Sequence, residues 1–189
     1  MWKSAAIMIA LTAVHPAAAQ DLDAGKTVAR MCRNCHGLDG YAKIPIAPHI
    51  GGEPAAYIAA QLNAFKDGTR QHEMMSVVTA SLNNQQIVDV ARWYGAQTAV
   101  AVTPDDFDPD AAPETCVSCH GADGISLLDN APNLAAETNI YIDTQLKAFR
   151  SGKRQHEIMS EVAAEMSDTE IRAAANWYAS VGIEITSPD

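Results

Sequence analysis

Shifting the chain by 84 residues lays it on itself. Cys32 falls on Cys116, Cys35 on Cys119, His36 on His120, Pro48 on Pro132, Tyr57 on Tyr141, Phe65 on Phe149, Arg70 on Arg154, Met75 on Met159 and Trp93 on Trp177, with no gap. From Tyr57 to Ala96 roughly half of the positions are identical to their partners. A constant offset over that span specifies two copies of one unit of about 80 residues rather than a single large core. The stretch between them, Gln97 to Pro113, holds Pro104, Pro109, Pro113 and a run of aspartates, and reads as an extended linker.

Each copy carries C-x-x-C-H: Cys32-Arg33-Asn34-Cys35-His36 and Cys116-Val117-Ser118-Cys119-His120. This is the attachment signature of c-type haem. The two thiols add to the haem vinyl groups, and the histidine becomes the proximal ligand of the iron. Two other uses of four cysteines must be weighed. Disulfides within each pair would leave unexplained why a histidine follows both. A four-cysteine zinc site brings its knuckles together at much shorter sequence separations than this. Two covalently bound haem c groups are therefore expected. A unit this small buries little apolar surface by itself, and an attached macrocycle supplies a large core element.

The chain begins like an exported protein. Lys3 gives a positive start, Ala5 to Val14 is apolar but too short to span a bilayer, and Ala17-Ala18-Ala19 is a small-residue cleavage site. The expected organisation is a cleaved signal peptide over 1–19, a first domain over 20–98, a linker with a degenerate leading segment over 99–113, and a second domain over 114–189. Export to the periplasm suits haem attachment, which takes place outside the cytoplasm. Formal net charge is −10, and it is lopsided: residues 20–104 carry seven acidic and seven basic side chains, residues 105–189 sixteen and five. Nucleic acid is excluded as a partner, because its recognition calls for basic patches.

Both copies read as all-α, without a strand pattern. Pro54 suits a helix opening, Ile58, Leu62 and Phe65 share one helical face, and Gly68 suits the stop. Asn83 with Gln86, and Ser167 with Glu170, form capping boxes for a final helix. Asp23 to Arg30 predicts a leading helix. Its counterpart, Phe107 to Glu114, contains two prolines, so the second unit loses or shortens that helix.

The repeat narrows the choice of sixth ligand. Met74 aligns with Ile158, so it cannot serve both copies, whereas Met75 and Met159 each lie 39 residues after their haem histidine. A thioether is a soft donor that stabilises ferrous iron and raises the potential. The rival pair is His72 and His156, which also aligns and would lower the potentials. The carbonyls of Pro48 and Pro132 are candidate acceptors for the proximal imidazoles. Arg70 and Arg154 are either propionate ligands or ordinary solvated charges. Trp93-Tyr94 and Trp177-Tyr178 are expected to seal helix interfaces. His49 aligns with Asn133, and so has no duplicated role.

With these residues placed, the chain resembles the dihaem cytochrome c4 family, and each half resembles a small class I cytochrome c. The resemblance rests on the two haem motifs with their following Gly37 and Gly121, on Ala47-Pro48 and Ala131-Pro132, on Gln-Leu-x-x-Phe at Gln61 and Gln145, and on the segments Gly68 to Met75 and Gly152 to Met159. It implies two tandem cytochrome c domains wrapped around their haems. It also implies a non-enzymatic carrier of single electrons between redox proteins: a dehydrogenase or quinol-oxidising complex as donor, and a terminal oxidase as acceptor. Peripheral association with the outer face of the inner membrane is left open. The alternative is a cytochrome subunit of a periplasmic dehydrogenase complex, such as flavocytochrome sulfide dehydrogenase. A haem enzyme such as a peroxidase needs an open iron position, against which the two alignable methionines speak.

Overall fold

The two copies fold as two helical units with separate cores, as the repeat requires. The computed structural model describes residues 22–188; the expected signal peptide lies outside them. In the first unit, α1 (Leu22–Ala29) leads into the short α2 (Arg33–His36), followed by α3 (Ala55–Asp67), α4 (Glu73–Ala80) and α5 (Asn84–Gly95). Strand β1 (Thr98–Val102) and a 3-10 turn (Pro109–Ala111) connect to the second unit. That unit comprises α6 (Glu114–His120), α7 (Asn139–Arg150), α8 (Glu157–Glu165), α9 (Asp168–Ser180) and β2 (Gly182–Thr186). No helix among the described residues is long and apolar enough to cross a membrane.

Local chemistry sets the helix ends. Pro54 caps α3, and Gly68 closes it in the left-handed conformation at φ 83°, where a side chain would be strained. Both capping boxes form: Asn83 and Gln86 open α5, and Ser167 and Glu170 open α9. The apolar faces then pack. Ile58, Leu82, Ile87, Val90 and Tyr94 build the first core; Ile142, Leu146, Phe149, Ile171 and Tyr178 build the second.

The leading helix is present only in the first unit. There α1 crosses α5 at Gly25, and Lys26 stands 5.2 Å over the Trp93 ring. In the second unit the prolines allow only the 3-10 turn, and Phe107 covers Trp177 instead, with ring centroids 5.5 Å apart.

The expected all-α, two-domain architecture forms, with one addition that no strand pattern announced: among the described residues two short strands pair. β1, inside the expected linker, pairs antiparallel with β2 in the register Thr98↔Thr186 through Val102↔Gly182. The two strands are themselves repeat equivalents, since Thr98 shifted by 84 is Gly182. Their pairing centres on Val100↔Glu184, which are also equivalent positions. The two units are therefore related by an approximate two-fold axis through the sheet, which makes the contact between them self-complementary. A third apolar cluster (Ala135, Val181 and Ile183 with Ala99, Ala101 and Phe107) ties the linker to the second unit.

Candidate haem sites

The motif cysteines and histidines sit on short helical turns. Cys32 caps α2, which carries Cys35 and His36, while α6 carries Cys116, Cys119 and His120. Helical spacing puts the first thiol, the second thiol and the imidazole of each motif on neighbouring rungs. All four thiols are free and half-buried. Burial pushes the Cys32 and Cys116 thiols up.

Both histidines are buried, 8% exposed for His36 and 6% for His120. His36 Nδ1 lies 2.9 Å from the Pro48 carbonyl oxygen, and His120 Nδ1 lies 2.8 Å from that of Pro132. The carbonyl can only accept, so Nδ1 carries the proton and Nε2 keeps its lone pair. Burial also lowers both imidazole pKa values, which favours the neutral form a metal needs.

The loop after each motif is held by the last helix of its unit. Trp93 Nε1 donates to the Leu38 carbonyl at 2.7 Å, and Trp177 Nε1 to that of Ala122 at 2.8 Å. Tyr94 and Tyr178 donate to the carbonyls of Gly37 and Gly121 at 3.0 and 3.1 Å. The aromatic pairs thus seal the interface, as expected, and also fix the glycine turn that follows the motif.

Met75 and Met159 lie in the first turns of α4 and α8, both half-buried, and Met159 packs on the second core. The repeated histidines before them have a structural use. His72 and His156 are exposed N-caps, whose Nδ1 atoms accept the backbone N–H of Met75 (3.4 Å) and Met159 (3.3 Å). His72 is also among the groups that lower the His36 pKa, so the start of α4 lies near the first motif.

Arg70 and Arg154 are neither solvated nor separate. Arg70 donates to Gln61 at 2.6 Å and to Gln145 of the other unit at 2.8 Å. Arg154 donates to Gln145 at 2.8 Å, and across the interface to Gln61 at 3.0 Å and Tyr57 at 3.1 Å. Each guanidinium also lies 4.4 Å over a phenylalanine, Phe65 or Phe149. Among the described residues neither makes an ion pair. Two half-buried cations without an acid would suit anions, and a bound haem would bring its propionates as such. Together with the free thiols and the fixed imidazoles, the donor set fits haem c. When bound, the haem supplies an iron that takes up and releases one electron.

Sequence reasoning missed four residues. His49 and Asn133 have a duplicated role despite their different identities. His49 Nδ1 accepts from the Ala42 N–H at 3.1 Å, and its Nε2 donates to the Ala136 carbonyl at 3.1 Å. Asn133 accepts from the Ser126 N–H at 2.9 Å and donates to the Gly52 carbonyl at 3.1 Å, each the partner position shifted by 84. Their backbone N–H groups donate across the interface: His49 to Glu137 at 2.7 Å, and Asn133 to Glu53 at 3.0 Å. Glu53 and Glu137 align at the same offset, and that alignment was the available signal.

Comparison with known proteins agrees with this geometry. The family profile described as cytochrome c oxidase, cbb3-type, subunit III matches residues 111–177, the core of the second unit. Cytochrome c4 from Thiocapsa roseopersicina is 33% identical over 187 residues, covering 86% of this chain and 95% of that protein. This chain belongs to the cytochrome c4 family. The crystal structure of reduced recombinant cytochrome c4 from Pseudomonas stutzeri superposes with a TM-score of 0.73 at 26% identity, covering 85% of this chain and 98% of that one. A protein named thiosulfate dehydrogenase electron acceptor, from Thiomonas intermedia (strain K12), is 30% identical over 171 residues, covering 80% of this chain and 78% of its own. This cytochrome c4 is accordingly an electron carrier with covalently bound haem c, and it works with redox proteins.

Proposed function

We propose that this cytochrome c4 takes single electrons from a periplasmic dehydrogenase, of which a thiosulfate dehydrogenase is one candidate, and passes them to a terminal oxidase. The thiols of Cys32, Cys35, Cys116 and Cys119 anchor the two haems. His36 with Met75 holds the first iron, and His120 with Met159 the second. The observation that carries this reading is the identical treatment of both imidazoles, each with Nδ1 fixed on a proline carbonyl. The capping role of His72 and His156 accounts for their repetition without iron ligation, which favours the methionines. Thioether ligation raises both potentials, which suits delivery to an oxidase. The chain is exported, with cleavage before Gln20.

Near-infrared absorption of the oxidised protein tests the ligands. Met75→Ala removes the sulfur-to-iron band of one haem and lowers its potential, and Met159→Ala does the same for the other. An unchanged band moves the ligand elsewhere. Stopped-flow reduction by thiosulfate dehydrogenase tests the donor: electrons reach this cytochrome within catalytic turnover, and failure to reduce it removes that enzyme from the reading.

A further inference from the structure

Glu53 and Glu137 are 4% and 3% exposed and lie where the two units meet. Each accepts one backbone N–H from the opposite unit, and Oε2 of Glu137 is buried with no hydrogen-bond partner among the described residues. A buried ionised carboxylate needs a cation or several donors to offset its lost hydration. Neither is at hand. His49, which faces Glu137, is a neutral Nε2–H tautomer, because its Nδ1 accepts from Ala42. Asp39 and Lys43 act electrostatically on His49, and Lys43 pairs with Asp39 at 3.9 Å. Tyr57, on α3, faces Glu53, and its hydroxyl is engaged by Arg154. Arg154 and Arg70 direct their hydrogen bonds to Tyr57, Gln61 and Gln145 and none to either glutamate, and Tyr141 on α7 stands with them. The paired strand β1 brings only Thr, Ala and Val.

We propose that the interface is a proton-binding site: Glu53 and Glu137 enter the docked molecule as carboxylic acids, and releasing those protons loosens one haem unit from the other. A neutral carboxyl still accepts the N–H of His49 or Asn133 through its carbonyl oxygen. The hydroxyl gives the orphaned side of Glu137 a donor in place of an unsolvated charge. The electrostatics point the same way. Burial lifts Glu53 to about 8, the Asn133 hydrogen bond only partly opposing it. Burial first, and the negative charge of Glu53 second, lift Glu137 well above its ordinary range. For an acid raised by folding, the stabilisation is complete below the ordinary pKa near 4.5. It is lost as pH rises, up to the docked value near 8 for Glu53. The approximate two-fold explains why there are two: each unit contributes the same acid to the contact.

Amide hydrogen exchange on the haem-loaded, fully reduced protein reads the coupling at the amides of His49 and Asn133 and along β1 and β2. After correction for intrinsic exchange, opening rises roughly tenfold per pH unit between pH 5 and 7.5 for each carboxyl that stays protonated when docked. The double variant Glu53→Gln with Glu137→Gln keeps the carbonyl acceptors and cannot ionise, so its opening is flat with pH. A flat wild-type profile, or an equal slope in the variant, overturns the proposal. Carbon-13 NMR titration of the glutamate carboxyl carbons of the wild type decides independently of any variant. The Glu53 resonance titrates near pH 8 and that of Glu137 well above the ordinary glutamate range, and the absence of both raised titrations refutes the site. A response abolished by chelator and restored by calcium would assign the pair to a metal cation instead.

Discussion

Replacing Gly25 by alanine separates the two units most cleanly, because only the first has the helix that Gly25 serves. A Cβ on Gly25 would overlap the backbone carbonyl oxygen of Asp89 and lie 2.8 Å from Trp93 Cβ, both on α5. In an exposed helix the change gains about 1 kcal/mol, since alanine is the better helix former. Here the obstacle is backbone, which no rotamer change relieves, so α1 must move off α5. Overpacking of this kind costs about 3 kcal/mol at the upper end of its usual range, so strain wins by about 2 kcal/mol. For a unit of about 80 residues that lowers the melting temperature by roughly 10 °C. The displacement also reaches the first haem motif, because the Cys32 N–H is bonded to the Ala29 carbonyl at the end of α1. More water near that haem lowers its potential, while the second unit, which has no such helix, keeps its own. Differential scanning calorimetry with a spectroscopic redox titration reads both effects. Unchanged stability, or equal shifts in both potentials, would refute the reasoning.

Three further changes test other parts of the account. His72→Ala removes a helix cap and costs about 1 kcal/mol in chemical denaturation, with the haem spectrum unchanged; loss of low-spin character would make His72 the ligand instead. Ile171→Ala, at a position with 0% exposure in the second core, costs about 2–5 kcal/mol and lowers the second unit's transition in calorimetry. Tyr178→Phe leaves the Gly121 carbonyl without its phenol donor and costs about 1–3 kcal/mol, read as a lower denaturation midpoint with the haem content intact.

The parts of the molecule that sequence made legible are those built from short-range signals repeated twice. The haem motifs, the capping boxes and the α3 stop at Gly68 each depend on residues within one or two turns. The 84-residue offset then separated shared roles from incidental ones, as with Met75 against Met74. What stayed hidden depends on contacts between the copies. Thr98 to Val102 does alternate, but a two-stranded sheet is stable only through its partner and its packing, and that partner lies 84 residues away. Arg70 and Arg154 were read as haem-side or solvent-side because neither alternative considered the other unit's glutamine. Glu53 and Glu137 also align at the offset, but carboxylates are seldom buried, so nothing within either copy marks them as interface groups. His49 and Asn133 differ as letters but present the same acceptor and donor to the same two backbone positions.

The claim beneath all of this is that one duplicated unit carries two haems, each sewn to its own pair of thiols. Intact mass spectrometry of the protein matured in an exporting host, after denaturation and thiol alkylation, tests it most directly. The account predicts a single species heavier than the polypeptide by two haem groups, with no cysteine open to alkylation. A polypeptide with four alkylated cysteines, or one carrying a single haem and two, would contradict it.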